Sequence, residues 1–158
     1  MRTDSFLQDK LKEFLETSFS DMEVMNTLTI GFGRRARRRF GSITMTRDKK
    51  RSHITINGLF RDPAIPEQII SATLAHELCH YAHGFSSPLP RKYSSPHAGG
   101  VILREMKKRG LEALYHFERQ WTKAHWGSVL QREFLPVRSR RPLKRWSFFN
   151  LRRLSGIM

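Results

Sequence analysis

Apolar residues recur every three to four positions near the start of the chain, behind two residues that suit a helix start. This spacing predicts an amphipathic helix over residues 4–19. Apolar and polar positions then alternate in three short segments, residues 28–32, 43–45 and 54–56, with Thr and other β-formers between the apolar positions. Such alternation is typical of strands with one buried face. Gly or basic turns separate the segments, which favours a three-stranded antiparallel meander, and Asn57 and Gly58 mark the end of its third strand.

The second half of the chain has helical spacing. A long apolar stretch begins at Pro66, which suits a first helical turn, and Gly84 is a plausible end for this helix. Residues 85–95 are rich in Ser and Pro and are expected to form a loop. The fold class that the pattern predicts is α+β, with a small antiparallel sheet packed on this helix and further helices before and after it.

Two more helices are expected after the loop. Ser95 and Pro96 suit the N-cap and first position of one that runs to about residue 109, where Gly110 stops it. The last helix spans about residues 111–126, with Gly127 at its end. Periodicity fades after this point, so we divide the chain into a domain of residues 1–127 and a basic, flexible tail of residues 128–158.

Length and composition narrow the class of protein. A chain of 158 residues suits one domain, and 39% hydrophobic residues is too apolar for a wholly disordered chain. The single Cys excludes an internal disulfide framework and a four-Cys zinc ribbon. No apolar run approaches the ~20 residues of a membrane span, and no signal-peptide apolar region is seen at the N-terminus. We therefore expect a monomeric, intracellular, cytoplasmic protein that does not associate with membranes.

The formal net charge of +15 is concentrated in three segments. Residues 34–39 carry +5, residues 47–51 carry +3 and residues 136–158 carry +7, which together equal the whole excess. We expect the first two clusters at or near hairpin connections of the meander. Such clusters attract polyanions, most commonly nucleic acid, by releasing condensed counterions, although a merely solvated surface is the alternative.

The basic tail also contains Trp146, Phe148 and Phe149, whose rings can stack on unpaired bases. We therefore expect DNA, or another polyanion, as a partner. The candidate nucleic-acid-binding residues are Arg34, Arg35, Arg37, Arg38, Arg39, Arg138, Arg140, Arg141, Lys144 and Arg145.

The predicted second helix carries a His-Glu-x-x-His pattern at His76, Glu77 and His80. Residues four apart lie on one helix face, so both imidazoles can reach one Zn²⁺ at about 2.0–2.1 Å. Glu77 projects beside that face and can take a proton from water at the metal. A buried histidine pair without a metal would need polar partners, and the sequence offers no obvious ones.

A catalytic zinc usually has three protein ligands. His97 is our choice for the third, because it lies at the start of the next predicted helix, which can fold back against the first. Glu105, on that same helix, is the competing third ligand. His83 shares the face of His76 but is one turn too far, so a role near the site or in the cleft wall suits it better.

Other candidate residues have simpler interpretations. Cys79 lies off the ligand face and is expected to be a small core residue. His116 and His125 are expected at the surface of the last helix. Tyr93, in the loop, can serve either in packing or in stabilising an oxyanion.

The chain resembles the SprT-like, or Spartan-type, zincin domain over roughly residues 5–126. The similarity lies in Arg38 to Ile43, Ile54 to Asn57, Ala75 to His80, and Pro96-His97. It implies a zincin-like α+β fold with a small sheet above the active-site helix. It also implies one zinc ion per chain on His76, His80 and His97, Glu77 as catalytic base, and proteolysis near DNA.

These observations predict a zinc-dependent metalloprotease that acts on protein or peptide substrates and is tethered to DNA by its basic segments. The main alternative is a non-enzymatic nucleic-acid-binding protein on a zincin scaffold with a structural zinc. A structural site does not need a base such as Glu77, which weighs against it. A third possibility is a metal-dependent hydrolase that acts on a non-peptide bond.

Overall fold

The computed structural model describes residues 1–135. These residues form four α-helices and one three-stranded sheet, so the predicted α+β class is confirmed. Short 3₁₀ turns cover Gly58–Arg61 and Ala98–Gly100. The helices and strands, in chain order, are α1 (Asp4–Glu16), β1 (Thr27–Phe32), β2 (Gly41–Met45), β3 (Arg51–Ile56), α2 (Glu67–Ala82), α3 (Val101–Lys108) and α4 (Glu112–Phe134).

The sheet is mixed, and the predicted antiparallel meander is wrong. Its strand order is β1-β3-β2. β1 pairs parallel with β3, with Ile30 opposite Ile54, whereas β2 pairs antiparallel with β3. The connection over residues 33–40 is long enough to cross the end of β3, and only β2 and β3 are joined by a hairpin. Alternating apolar positions reveal which face is buried but not the strand direction, which explains the error.

Helix α2 lies at the centre of the molecule. Thirteen of its 16 residues are buried, so it is apolar nearly all round, as expected of a helix with neighbours on every side. It packs against β2, β3, α3 and α4, while α1 covers β1. Leu7, Leu11 and Phe14 of α1 complete the core. Among residues 1–135, no helix combines the length and apolar character needed to cross a bilayer.

Several predicted helix ends are displaced. Gly84 does follow α2, with a φ of +80° that suits glycine. However, the first helix ends at Glu16 rather than residue 19. The third helix does not begin at Ser95 and Pro96, since Gly99 and Gly100 have positive φ and α3 starts only at Val101.

Helix α4 runs through Gly127 instead of ending there. A glycine inside a helix costs about 1 kcal/mol relative to alanine, and burial of Val129 beyond it offsets this cost. Regular structure therefore continues to Phe134, seven residues into the segment that the sequence assigned to the tail.

Candidate metal centre and its cleft

Three histidines converge at the surface of α2. His76 and His80 lie one turn apart on the helix, and their ring centroids are 4.7 Å apart. His97 comes from the segment before the Ala98–Gly100 turn, and its Nε2 lies 3.1 Å from Nε2 of His76. One ligand atom from each ring lies within 4.8 Å of the other two. The structure therefore brings together the three residues that the sequence singled out as metal ligands.

The three imidazoles fit a divalent metal ion. Burial, reinforced by neighbouring imidazoles, lowers the pKa of His76 to about 4 and that of His80 to about 3, so both rings are neutral and can donate a lone pair at neutral pH. Two nitrogens on one tetrahedral zinc are roughly 3.4 Å apart, close to the spacing of His76 and His97. Buried Nδ1 of His80 also has no hydrogen-bond partner among residues 1–135. A set of imidazole nitrogen ligands suits zinc.

Glu77 lies next to the histidines and is only 5% exposed. Burial raises the pKa of its carboxyl to about 7, and the Arg39 guanidinium opposes this rise only in part. A carboxyl with a pKa near the working pH can both accept and release a proton. Gly41 of β2 makes room for it, because a Cβ there would lie 3.0 Å from Oε1 of Glu77 and 2.6 Å from Cγ2 of Thr73.

An open cleft with a volume of about 640 Å³ lies above the histidines. Residues 41–44 of β2 form one wall, and β2 is an edge strand of the sheet. The unpaired backbone groups of an edge strand can bind an extended peptide. The other lining residues, besides the three His and Glu77, are Arg38, Arg39, Phe85, Ser86, Arg91 and Pro96.

Glu105, the competing third ligand, is bound elsewhere. Its Oε2 lies 3.1 Å from Nε2 of His83, and its Oε1 accepts a 2.8 Å hydrogen bond from Nε of Arg109. Arg109 continues the network to Ser18 and Asp21. His83 is fully buried and therefore forms no part of the cleft wall. Both residues belong to a separate hydrogen-bonded network that includes Arg109, and neither joins the histidine cluster.

The remaining candidates lie away from the cleft lining. Tyr93 packs edge-on to the ring of His83, with ring centroids 4.8 Å apart, which suits packing rather than oxyanion stabilisation. Cys79 is fully buried, and burial raises the pKa of its thiol to about 12, so it is an inert core residue. His116 and His125 are exposed on α4.

The loop over residues 33–40, called the arginine loop below, crosses from β1 to β2 and is held by buried Asn57. The Asn57 side-chain Nδ2 donates 2.8 Å hydrogen bonds to the carbonyls of Ala36 and Arg39, and its Oδ1 accepts from the backbone N–H of Ala36 and Leu59. The first basic cluster thus lies in a crossover, not in a hairpin as expected. The second cluster does lie in and around the β2–β3 hairpin turn.

The arginines of this loop face different surroundings. Arg35 forms a 3.1 Å ion pair with Glu133, and the Arg37 guanidinium lies 4.7 Å from the centroid of the Phe134 ring. Nε1 of Trp126 also donates a 3.0 Å hydrogen bond to the Arg37 carbonyl, so the loop is fixed on the last turns of α4. Arg38 and Arg39 line the cleft. The other candidates, Arg138, Arg140, Arg141, Lys144 and Arg145, lie outside the described residues.

Sequence reasoning missed three residues of this site. Gly41 stands out in the sequence only as part of the segment Arg38 to Ile43, and Asn57 only as a strand end, because their roles depend on tertiary contacts that no local pattern reveals. Arg91 lines the cleft from the Ser- and Pro-rich loop. The only signal for it was a pair of basic residues, Arg91 and Lys92, within an otherwise uncharged segment.

A scan against protein-family models and searches of curated proteins and of solved structures found no match to this chain. The functional interpretation therefore depends on the residues and geometry described above.

Proposed function

We propose that the chain is a zinc-dependent metallopeptidase of the SprT-like zincin type. The observation that carries the proposal is the convergence of His76, His80 and His97 beside the buried carboxyl of Glu77, at the floor of an open cleft. A purely structural metal site is normally closed by four protein ligands, whereas three ligands beside a candidate base suit a catalytic one.

His76, His80 and His97 would hold the zinc. When bound there, zinc supplies a Lewis acid that polarises a carbonyl and makes water more acidic. Glu77 accepts a proton from the attacking water and then returns it to the leaving amine, as the pKa of its carboxyl suits both transfers. Strand β2 positions the substrate, since its free edge can pair with an extended peptide along the cleft.

We further propose that the basic segments tether the enzyme to DNA. The contacts of Arg35 with Glu133 and of Arg37 with Phe134 support this, because they bring the arginine loop next to the residues that directly precede the basic segment 136–158 in sequence. The arginine loop, whose Arg38 and Arg39 line the cleft, therefore lies next to the last described residues of the chain. A polyanion bound there would bring protein substrates near the active site by proximity.

The test combines metal content with proteolysis in the presence and absence of DNA. Wild-type protein should contain one zinc ion per chain and degrade an unfolded protein substrate. Glu77→Gln should retain the zinc and lose turnover by a factor of 100 or more, because general-base catalysis typically contributes 10²–10⁴. Glu23→Gln, at an exposed position, is the matched control. Equal turnover of wild type and Glu77→Gln would exclude Glu77 from the mechanism.

The tether has its own test. Replacing the seven basic residues of segment 136–158 by Gln should weaken DNA binding and reduce the slope of log K against log salt, which is about 0.7–0.9 per phosphate contacted. A salt-independent interaction would exclude an electrostatic tether. DNA binding without any proteolysis would favour the non-enzymatic alternative.

A further inference from the structure

We propose that Arg38, Arg39 and Arg91 make the cleft select peptide segments with acidic side chains next to the scissile bond. The inference rests on the proposed peptidase function and names its substrate class. The inference gives Arg38 and Arg39 a role in binding the substrate peptide. Their position in a basic cluster would otherwise suggest that they bind nucleic acid.

The three guanidinium groups come from two separate parts of the chain. Arg38 and Arg39 lie near the end of the arginine loop, just before Phe40 and β2, whereas Arg91 belongs to the loop after α2. All three residues are exposed, and all three line the cleft that holds the histidines. A peptide lying along β2 would therefore pass basic side chains contributed by both loops.

Contacts hold the backbone at Arg39 and the side chain of Arg91. Nδ2 of Asn57 binds the Arg39 carbonyl at 2.8 Å, and the Asn57 backbone N–H binds the Phe40 carbonyl at the same distance. The Arg91 guanidinium lies 4.9 Å from the centroid of the Phe85 ring, in cation–π contact. Anchored backbone and a stacked guanidinium leave less freedom to lose when a substrate binds.

The cleft contains little negative charge to balance them. Within residues 1–135, arginine ion pairs involve only Arg35, Arg61, Arg109 and Arg132, so the cleft arginines have no carboxylate partner. Glu77 is the one carboxylate among the lining residues of the described chain, and it is buried. A divalent ion on the histidines would add positive charge. The cleft thus attracts acidic side chains and repels basic ones.

Nucleic acid is the other polyanion to consider, and the cleft favours a peptide. One wall is an edge strand whose backbone can pair with another strand, as a peptide requires. Single-stranded nucleic acid instead needs open aromatic faces for its bases. Phe85 is the only aromatic residue besides histidine among the described lining residues, and Arg91 already stacks on it.

The test measures binding of matched peptides to full-length Glu77→Gln protein, which does not cleave them. Short fluorescent peptides that share one sequence and carry Glu, Gln or Lys around the central bond are compared by anisotropy, with and without zinc. Each pairing in a hydrated cleft contributes about two- to fivefold in affinity, so the Glu peptide should bind about tenfold more tightly than the Gln peptide. The Lys peptide should bind most weakly, and high salt should reduce the differences.

Two variants identify the responsible residues. Arg38→Gln, Arg39→Gln and Arg91→Gln together should abolish the preference for the Glu peptide. The matched control, Arg47→Gln, Lys49→Gln and Lys50→Gln at the β2–β3 turn, removes the same charge outside the cleft and should retain it. Arg91→Glu alone, in an exposed loop, should move the preference towards Lys and so gives a gain of function that misfolding cannot imitate.

Equal binding of the Glu and Gln peptides would overturn the inference. It would also be overturned if single-stranded DNA displaced peptide from wild type but not from the cleft variant, while no charge preference was seen. The peptidase proposal fails separately. If the protein prefers acidic peptides but wild type does not hydrolyse them, the charge selectivity is supported and the peptidase activity is contradicted. If wild type hydrolyses peptides without any charge preference, the peptidase activity is supported and the charge selectivity is contradicted.

Discussion

Nε2 of His97 lies 3.1 Å from Nε2 of His76, although 21 residues and a loop separate the two in sequence. The contact joins the centre of α2 to the segment before α3. Two ring nitrogens this close need either one shared proton or one shared ligand. A shared ligand, such as a metal ion, also accounts for the position of His80, whose ring completes the cluster.

Zinc should therefore stabilise the fold by linking α2 to the segment before α3. At free zinc 1,000-fold above Kd, the free energy of unfolding should rise by about 4 kcal/mol, or roughly 10 °C in Tm, as measured by calorimetry with and without chelator. His97→Ala should lower zinc affinity by at least about 100-fold, since even a residue that only supports a ligand contributes 10- to 100-fold. His125→Ala, at an exposed histidine on α4, is the control. Unchanged zinc affinity in His97→Ala would remove His97 from the site.

Gly41→Ala should lower turnover while zinc binding persists. The new Cβ would lie 3.0 Å from Oε1 of Glu77, so the carboxyl must move away from its position beside the histidines. A misplacement of about 1 Å can cost about 100-fold in kcat, and relief of this contact needs a few tenths of an ångström, so kcat should fall by several-fold. Zinc affinity and kcat are measured in parallel with Gly127→Ala as control, because a Cβ at Gly127 meets no other atom within 4 Å. Wild-type kcat in Gly41→Ala would show that Glu77 has room to adjust.

The parts of the molecule that follow from local spacing could be predicted from the sequence. Helix α2 and its ligand pair need only the 3.6-residue period and the four-residue spacing of His76 and His80. The approach of His97 followed from the expectation that the next segment folds back on α2.

The parts that depend on long-range contacts could not be predicted in this way. The parallel pairing of β1 with β3 depends on where the arginine loop crosses, and the loop is held by Asn57. The extension of α4 depends on burial of Val129 and on contacts of its last turn with Arg35 and Arg37. Neither leaves a periodic signal, because each involves single side chains far apart in sequence.

Asn57→Ala should destabilise the protein and loosen the arginine loop. The substitution removes two donated and two accepted hydrogen bonds at a position that is 4% exposed. The free energy of unfolding should fall by about 2–3 kcal/mol. Each buried polar group left unpaired costs about 1–3 kcal/mol, and some of these groups can bind water instead. Chemical denaturation measures this cost, and hydrogen exchange of the loop amides shows whether it is local. Asn57→Asp keeps the side-chain oxygen that accepts from the N–H groups of Ala36 and Leu59. It should therefore disturb the backbone at these two residues less than Asn57→Ala does. A loss below about 0.5 kcal/mol in Asn57→Ala would contradict the anchoring role.

Glu118→Gln on α4 should stabilise the metal-free protein above neutral pH and have little effect near pH 5. Burial raises the pKa of the Glu118 carboxyl to about 7, with Arg119 opposing the rise. A group whose pKa is raised on folding holds its proton more tightly in the folded state. Its contribution to stability is therefore present below its unfolded pKa of about 4.5 and is lost as the pH rises towards 7. At about 1.4 kcal/mol per pKa unit, discounted for partial exposure, the loss is about 2 kcal/mol.

Denaturant unfolding of both proteins at pH 5 and pH 8, in chelator, measures this difference. The gain from Glu118→Gln should grow between the two pH values, because Gln cannot ionise. Burial lowers the pKa of His76 and His80, which makes wild type and variant alike less stable as the pH falls through 6.5, and this shared effect cancels in the comparison. Exposed Glu23→Gln should show no such growth. A gain that is equal at both pH values would mean that Glu118 ionises as readily in the folded chain as in the unfolded one.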